Sequence, residues 1–401
     1  MANAYLYWVG VIYVLPLGLT LPLNNYAAVL LYVLLVVLLL DLWLLHSTNS
    51  ATHRGRTRER ARSQQINWTL GVVLFLVCVV AYLVLQGGRL TEVLQALRDG
   101  TFFERGVELA ADRYDGLGTV TVLDKLATVL FLAASGILGL VARATKRSTL
   151  LMLYLVYLVC LIVNTAALAR AGAVIGLCFF ASAYLLVNSE QLGRDHRQIA
   201  RAVLAAFVAG SVLFVAVQWG RVYGKADAAT IVWEKAGSYF AAPYAAFWGW
   251  YKHWAGEQTF GYGTFTFAFK LFGKSVQLGF YDPVQTAYGH TNIYLNMRGL
   301  VEDFGGPLAI LVFAILGFVT IIGESFTLRR RLIVNFPILV FLLFPFISIF
   351  NFTTAALGVA VFAALSCVIV SRSTRVNPLR VKAACRHTCP RNDTRTVAEP
   401  M

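Results

Sequence analysis

Apolar residues recur along this chain in runs of about 18 residues or more, each long enough to cross a bilayer as a helix. Inside lipid only helices and closed barrels satisfy their own backbone groups, so the pattern predicts an all-α, polytopic membrane protein. The runs predict about ten transmembrane helices, at 4–22, 26–46, 67–86, 121–141, 149–166, 171–188, 201–219, 302–323, 332–350 and 353–370.

Basic residues concentrate in alternate segments between these predicted helices. The Lys- and Arg-rich segments are 47–66, 142–148, 189–201, 324–331 and the tail after 370. With ten helices, all of them fall on one side of the membrane. Because positive segments stay on the cytoplasmic side, we predict that this side is cytoplasmic and that both termini lie there.

Two long segments, 87–120 and 220–301, then face outwards. In the first, apolar residues recur at helical spacing and predict a short amphipathic helix at the membrane interface, formed around Leu90, Val93, Leu94 and Leu97. The second is larger, and its basic residues outnumber its acidic ones.

Composition agrees with a membrane protein. The 401 residues are 58% hydrophobic and 13% charged, with a formal net charge of +14, and the mean hydropathy is +0.68. Positive charge is also typical of nucleic-acid-binding proteins, but basic loops that set membrane orientation explain it better. We therefore expect membrane lipids as partners and no nucleic acid.

Aromatic residues crowd the window 233–265 within the second long segment. Such a cluster is typical of an aromatic belt, in which indole and phenol rings sit at headgroup level. It also suits a platform on which sugar rings or an isoprenoid chain would stack. The residues alone favour neither interpretation, and both can hold.

Four basic residues are candidates for binding a lipid-linked pyrophosphate. Arg170 stands in a turn too short to leave the membrane boundary, where a guanidinium either snorkels to headgroups or clamps a lipid-linked pyrophosphate. Arg221 follows the seventh predicted helix. Lys252 and the neighbouring His253, inside the aromatic window, are rivals for the same role.

His290 is the candidate general base, because an imidazole can take a proton from a sugar hydroxyl near neutral pH. Asn292, Tyr294 and Arg298 follow it, and Glu302 and Asp303 stand at the mouth of the next predicted helix. Either acid can orient the imidazole, pair with Arg298, or be a plain boundary charge. Structural readings of the histidine, hydrogen-bonded to loop backbone, also fit.

Nucleotide and metal chemistry find no support in the sequence. It lacks the GxxxxGK[ST] loop that cradles ATP phosphates, and it lacks HExxH and any carboxylate cluster with metal-ligand spacing in the outer segments. We expect no cofactor and no metal.

Three motifs together resemble the bacterial O-antigen ligase and polymerase superfamily. They are Ala-Leu-Ala-Arg-Ala-Gly at 167–172, Phe-Gly-Tyr-Gly-Thr-Phe at 260–265, and Gly-His-Thr-Asn-Ile-Tyr-Leu at 289–295 followed by Glu302, Gly305 and Gly306. The resemblance departs at Ala169, where the family has Ser, and at Thr291, which separates His290 from Asn292.

The resemblance implies a division into N-terminal helices at 1–144, a ligase-like or polymerase-like membrane domain at 145–370 with periplasmic segment 220–301, and a basic cytoplasmic tail at 371–401. The fold would be GT-C-like, in the bacterial inner membrane, with its active face periplasmic.

The implied activity is a metal-independent, inverting glycosyl transfer from a glycan on undecaprenyl pyrophosphate. A ligase would use lipid A-core as acceptor and a polymerase another lipid-linked glycan. The His-x-Asn-x-Tyr-Leu element and the chain length look more like those of ligases, so the resemblance favours the ligase. His290 would be catalytic, and Arg170 and Arg221 would bind pyrophosphate. A lipid-linked glycan transporter or an envelope scaffold remains an alternative.

Reporter fusions test the predicted orientation. Alkaline phosphatase folds only where disulfides form, so fusions within 87–120 and 220–301 should be active. Fusions within 47–66, 142–148 and 324–331 should be inactive. The reverse pattern in any pair of adjacent segments would contradict the predicted topology.

Overall fold

The computed structural model describes residues 64–101, 121–142, 146–165, 171–192, 225–240, 242–273, 284–287, 289–292, 294–323, 326–344 and 349–372, with isolated positions at 104, 108 and between 212 and 222. This part of the chain is mostly helical. The predicted helices at 4–22 and 26–46 lie outside it, as does most of 201–219.

The described helices are α1 Trp68–Leu85, α2 Gly87–Arg98, α3 Val122–Val141, α4 Arg147–Thr165, α5 Ala171–Leu192, α6 Ala228–Phe240, α7 Ala242–His253, α8 Thr266–Leu271, α9 Asn296–Phe304, α10 Gly306–Gly323, α11 Leu328–Leu343 and α12 Thr353–Ile369, with a 3₁₀ turn at Ile349–Asn351. Two antiparallel pairs of short strands accompany them: β1 Gln64–Ile66 with β4 Val370–Arg372, and β2 Val284–Thr286 with β3 Gly289–Thr291.

Within the described residues, three helices are long and apolar enough to cross a membrane: α1, α3 and α4. They coincide with the predicted helices at 67–86, 121–141 and 149–166. Helices α5 and α12 likewise occur where apolar runs predicted them, and α2 confirms the helix around Leu90 and Val93. These helices support an association of the protein with a membrane.

Two predicted boundaries are wrong. The run at 302–323 is two helices, because Gly305 takes φ 80 and breaks α9 from α10. The run at 332–350 begins earlier and ends at Leu343. Phe344 there leaves the helical region with ψ 87, as expected for a residue that precedes a proline, Pro345.

Helix α3 is the centre of the bundle. Every residue from 131 to 142 is buried, and α1, α5 and α12 pack around it. The sequence Ala-Ala-Ser-Gly at 133–136 and Gly139 supplies the small side chains that let helix backbones approach closely. A Cβ built on Gly139 would collide with the carbonyl oxygen of Phe180 in α5.

The β1–β4 pair identifies one end of the bundle. Asn67 N donates to Ile369 O at 2.9 Å, so the start of α1 lies beside the end of α12. The side chain of Val141, at the end of α3, lies at the same place, beside Gly71 of α1. The ends that border the basic segments 47–66 and 142–148 and the tail therefore lie together.

The two long segments meet at the opposite end. Helix α2 follows the far end of α1, and its Arg89 Nη2 lies 3.2 Å from Asp124 Oδ1 at the start of α3. Thr266 Oγ1 of α8 lies 3.1 Å from Asn351 Oδ1, just before α12 begins. The described parts of 87–120 and 220–301 thus share one end, in agreement with the charge alternation.

Several helices leave apolar faces exposed along their length. In α10 the exposed positions recur at helical spacing and form one strip, made of Leu308, Leu311, Ile315, Phe318 and Ile322. Helix α1 has a similar strip at Val73, Val77, Val80 and Val84. Contiguous apolar strips of this length are suited to lipid and would be unfavourable in water.

We predict that Gly139→Ala lowers the free energy of unfolding by about 1–3 kcal/mol, because two backbones would have to separate to admit the methyl group. Thermal unfolding in detergent measures it. Gly88→Ala in α2 is the matched control: nothing lies within 4 Å of its Cβ position. The control should be neutral or slightly stabilising, and equal losses for the two variants would contradict the close packing.

Candidate functional site

The glycine-rich segment 260–265 lies against the end of α9, although some 40 residues separate them in the chain. Thr259 N donates to Glu302 O at 2.8 Å, and Phe260 N donates to Asp303 O at 3.2 Å. Two of the motifs found in the sequence therefore form one structural unit.

The carboxylate of Asp303 holds this unit together. It is fully buried, and it accepts hydrogen bonds from Thr259 Oγ1, Gly263 N and Thr264 N, each at 2.7 Å. Hydrogen bonds to a charged acceptor are among the stronger ones in proteins. Asp303 is thus neither a partner of Arg298 nor a plain boundary charge.

Two glycines allow the close approach of turn and helix. A Cβ on Gly263 would lie 3.1 Å from the Cα of Gly299, and a Cβ on Gly299 would lie 3.1 Å from the carbonyl oxygen of Gly263. Gly261 takes φ 100, which favours glycine. The glycine spacing in the turn is thereby explained by contact with α9.

Arg298 sits in an aromatic cage on α9. Its Nε donates to Glu302 Oε1 at 2.8 Å, and both side chains are mostly buried. The guanidinium carbon lies 4.2 Å from the ring centroid of Tyr294 and 4.7 Å from that of Trp250. Of the alternatives that the sequence left open for Glu302, the structure shows the ion pair with Arg298.

Helix α7 carries the aromatic window as a stack of rings. The Phe247 and Tyr251 rings stack at 6.0 Å, as do those of Tyr251 and Trp254 at 6.4 Å. The Tyr251 hydroxyl rests on Gly306, where a Cβ would lie 2.8 Å from it. Helix α7 therefore packs against the point at which α9 ends and α10 begins. At its start, burial raises the pKa of Tyr244.

His290 lies in β3, opposite Gln285 of β2. The sequence predicted a loop there, and the short hairpin was missed. The hairpin packs on α6 and α7, which puts the backbone of His290 beside the aromatic helix. The position of its imidazole lies outside what the structure describes.

The other candidates divide into three groups. Tyr294, Arg298 and Glu302 come together in the cage. Lys252, His253 and Asn292 are exposed at the same end of the bundle, the first two in the last turn of α7. Arg170 and Arg221 lie outside the described residues, so their convergence with His290 stays a prediction.

Helices α6 to α9, the 259–265 turn and the β2–β3 hairpin form an outer layer at this end of the bundle. Asn296 attaches this outer layer to the bundle. Its buried Nδ2 donates to Phe341 O at 3.2 Å and lies 3.5 Å from Phe344 O, at the end of α11. The carbonyls of a last helical turn have no partner within their own helix, and Asn296 supplies one. Sequence reasoning missed Asn296, the contact of Trp250 with Arg298 and the true partners of Asp303. The glycines opposite Asp303 were the one available signal for a close contact.

Comparison with protein-family models, with curated proteins and with solved structures finds no match for this chain. The function of this protein is therefore inferred from its residues and their geometry.

We predict that Asp303→Asn destabilises the protein by about 2–4 kcal/mol, because an amide NH₂ would face donors in a buried site. Chymotrypsin should then cut the 259–265 turn faster, and thermal unfolding should report the loss of stability. Glu302→Gln is the control, expected to cost about 1 kcal/mol or less because its amide oxygen still accepts from Arg298. Similar losses in both variants would contradict the role given to Asp303.

Proposed function

We propose that this protein is a membrane glycosyltransferase of the O-antigen ligase type. It transfers a glycan from undecaprenyl pyrophosphate to a lipid A-core acceptor at the end of the bundle that carries α6 to α9. The active face would be periplasmic in the bacterial inner membrane.

One observation carries the proposal. Two separate elements resemble the family: the turn at 260–265, and residues 289–295 followed by Glu302, Gly305 and Gly306. Asp303 ties the turn to the end of the second element. The strand that bears His290 packs on the aromatic helix of the same layer. If these motifs form one site, they must lie close together, as they do here.

In the proposed reaction, an acceptor hydroxyl attacks the anomeric carbon of the donor. The bond from that carbon to the pyrophosphate oxygen breaks, and its electron pair leaves with the phosphate. His290 takes the hydroxyl proton. Arg170 and Arg221 stabilise the negative charge that grows on the leaving group, and the attack inverts the anomeric carbon.

The caged residues have a positioning role in this scheme. Tyr294 and Arg298 lie four to eight residues after His290, and Glu302 holds the Arg298 side chain. Cation–π contacts with Tyr294 and Trp250 restrict the guanidinium further. The cage thereby fixes the start of α9, to which the His290 strand leads. Exposed Lys252 and Asn292 remain available to contact the sugar or phosphate.

We predict that a His290→Ala strain makes lipid A-core without long-chain glycan, while the polymerised donor accumulates. Loss of a general base lowers rates by about 10²–10⁴-fold. Gel electrophoresis of the surface glycan measures it. His196→Ala, in the segment 189–201 that is predicted to be cytoplasmic, is the matched control and should give a normal ladder.

Other outcomes discriminate the alternatives. A single repeat unit on the core in the His290→Ala strain would instead identify a polymerase. A normal ladder with normal protein levels would exclude His290 from catalysis. Tolerance of His290→Ala combined with Arg170→Ala would favour a scaffold.

A further inference from the structure

Phe260 has a strained backbone. Among the residues that the structure describes, it is the one residue other than glycine with a positive φ, at 50°. A bulky side chain is disfavoured in this region because its Cβ crowds the backbone. Such outliers persist where the surroundings impose them, and they cluster at functional sites.

The surroundings of Phe260 do impose this conformation. Its own amide donates to Asp303 O, and the preceding amide, of Thr259, donates to Glu302 O. After it, Gly263 N and Thr264 N are fixed by the Asp303 carboxylate. The backbone on both sides of Phe260 is therefore held to the end of α9.

The strained backbone of Phe260 does not bury its phenyl ring against the rest of the protein. The Phe260 side chain is 74% exposed, whereas the neighbouring Tyr262 ring stacks on Phe269 with centroids 4.0 Å apart. A glycine would satisfy the same backbone without strain. The phenyl ring at position 260 is therefore best explained by a contact with something outside the protein.

The position of Phe260 indicates what covers the ring. Its amide bonds to Asp303, three residues before α10 begins at Gly306, and the exposed apolar strip of α10 begins at Leu308. Leu308 follows Asp303 by five residues, so their Cα atoms lie within about 18 Å of each other even across the break at Gly305. Phe272, at the end of α8 in the same segment, is 83% exposed. The backbone of Phe260 is therefore held near the end of α10 at which the exposed strip begins.

We propose that Phe260 is a membrane anchor, whose strained turn holds the phenyl ring in the boundary between the headgroups and acyl chains of the phospholipid leaflet at this end of the bundle. Aromatic rings are enriched at that depth. The contact would restrain the 259–264 turn through the bilayer on one side and through Asp303 on the other. The proposal does not depend on the glycosyltransferase activity.

Photo-crosslinking tests the contact. Benzoylphenylalanine replaces Phe260 in the full chain, in nanodiscs of phosphatidylethanolamine and phosphatidylglycerol, and adducts are identified by mass spectrometry. Phospholipid adducts should form several-fold more at 260 than at Glu257, an exposed position in the same segment. Adducts to protein, or yields equal to those at 257, would overturn the proposal, as would adducts that require added polyprenyl phosphate.

Hydrogen exchange gives a second measurement that separates the ring from the backbone. Phe260→Asn removes the phenyl but keeps a residue that tolerates positive φ. In the same nanodiscs, the amides of Gly263 and Thr264 should exchange several-fold faster than in the wild type. Unchanged exchange would mean that the ring restrains nothing, and it would overturn the proposal even if the crosslinking variant failed to fold.

Discussion

The buried carboxylate of Asp303 is the interaction on which the outer layer depends. A carboxylate without partners would be very costly at such a position, and three donors from one short turn compensate it. The same hydrogen bonds fix the conformation of the 259–265 turn. With the backbone hydrogen bonds of Thr259 and Phe260, these contacts hold the 260–265 segment on the end of α9 and bring Gly263 against Gly299.

The outer layer is attached to a helical bundle, and small residues allow the helices of that bundle to pack closely. In lipid there is little hydrophobic drive between helices, so close van der Waals packing has to hold them together. Helix α3 achieves this with Gly136 and Gly139, against which Phe362 of α12 and the backbone of α5 lie. The end of α11 then receives Asn296 and fixes the start of α9.

Hydropathy predicted most of the described helices because burial in lipid demands long apolar runs. It could not predict the break at Gly305 or the end of α11 before Pro345, since both interruptions are apolar or neutral in composition. The His290 hairpin was missed because its strands are three residues long. Arg298 pairing with Glu302 was foreseeable from their four-residue spacing. The role of Asp303 was not, because its partners are 40 residues away in the chain.

The central claim is that this end of the bundle transfers a lipid-linked glycan. Purified protein in phospholipid nanodiscs, given a fluorescent glycan on undecaprenyl pyrophosphate and lipid A-core, tests it most directly. Without ATP and with EDTA present, we expect a larger glycolipid and an equal amount of released undecaprenyl pyrophosphate. No product from a folded protein, with donor and acceptor both unconsumed, would contradict the account.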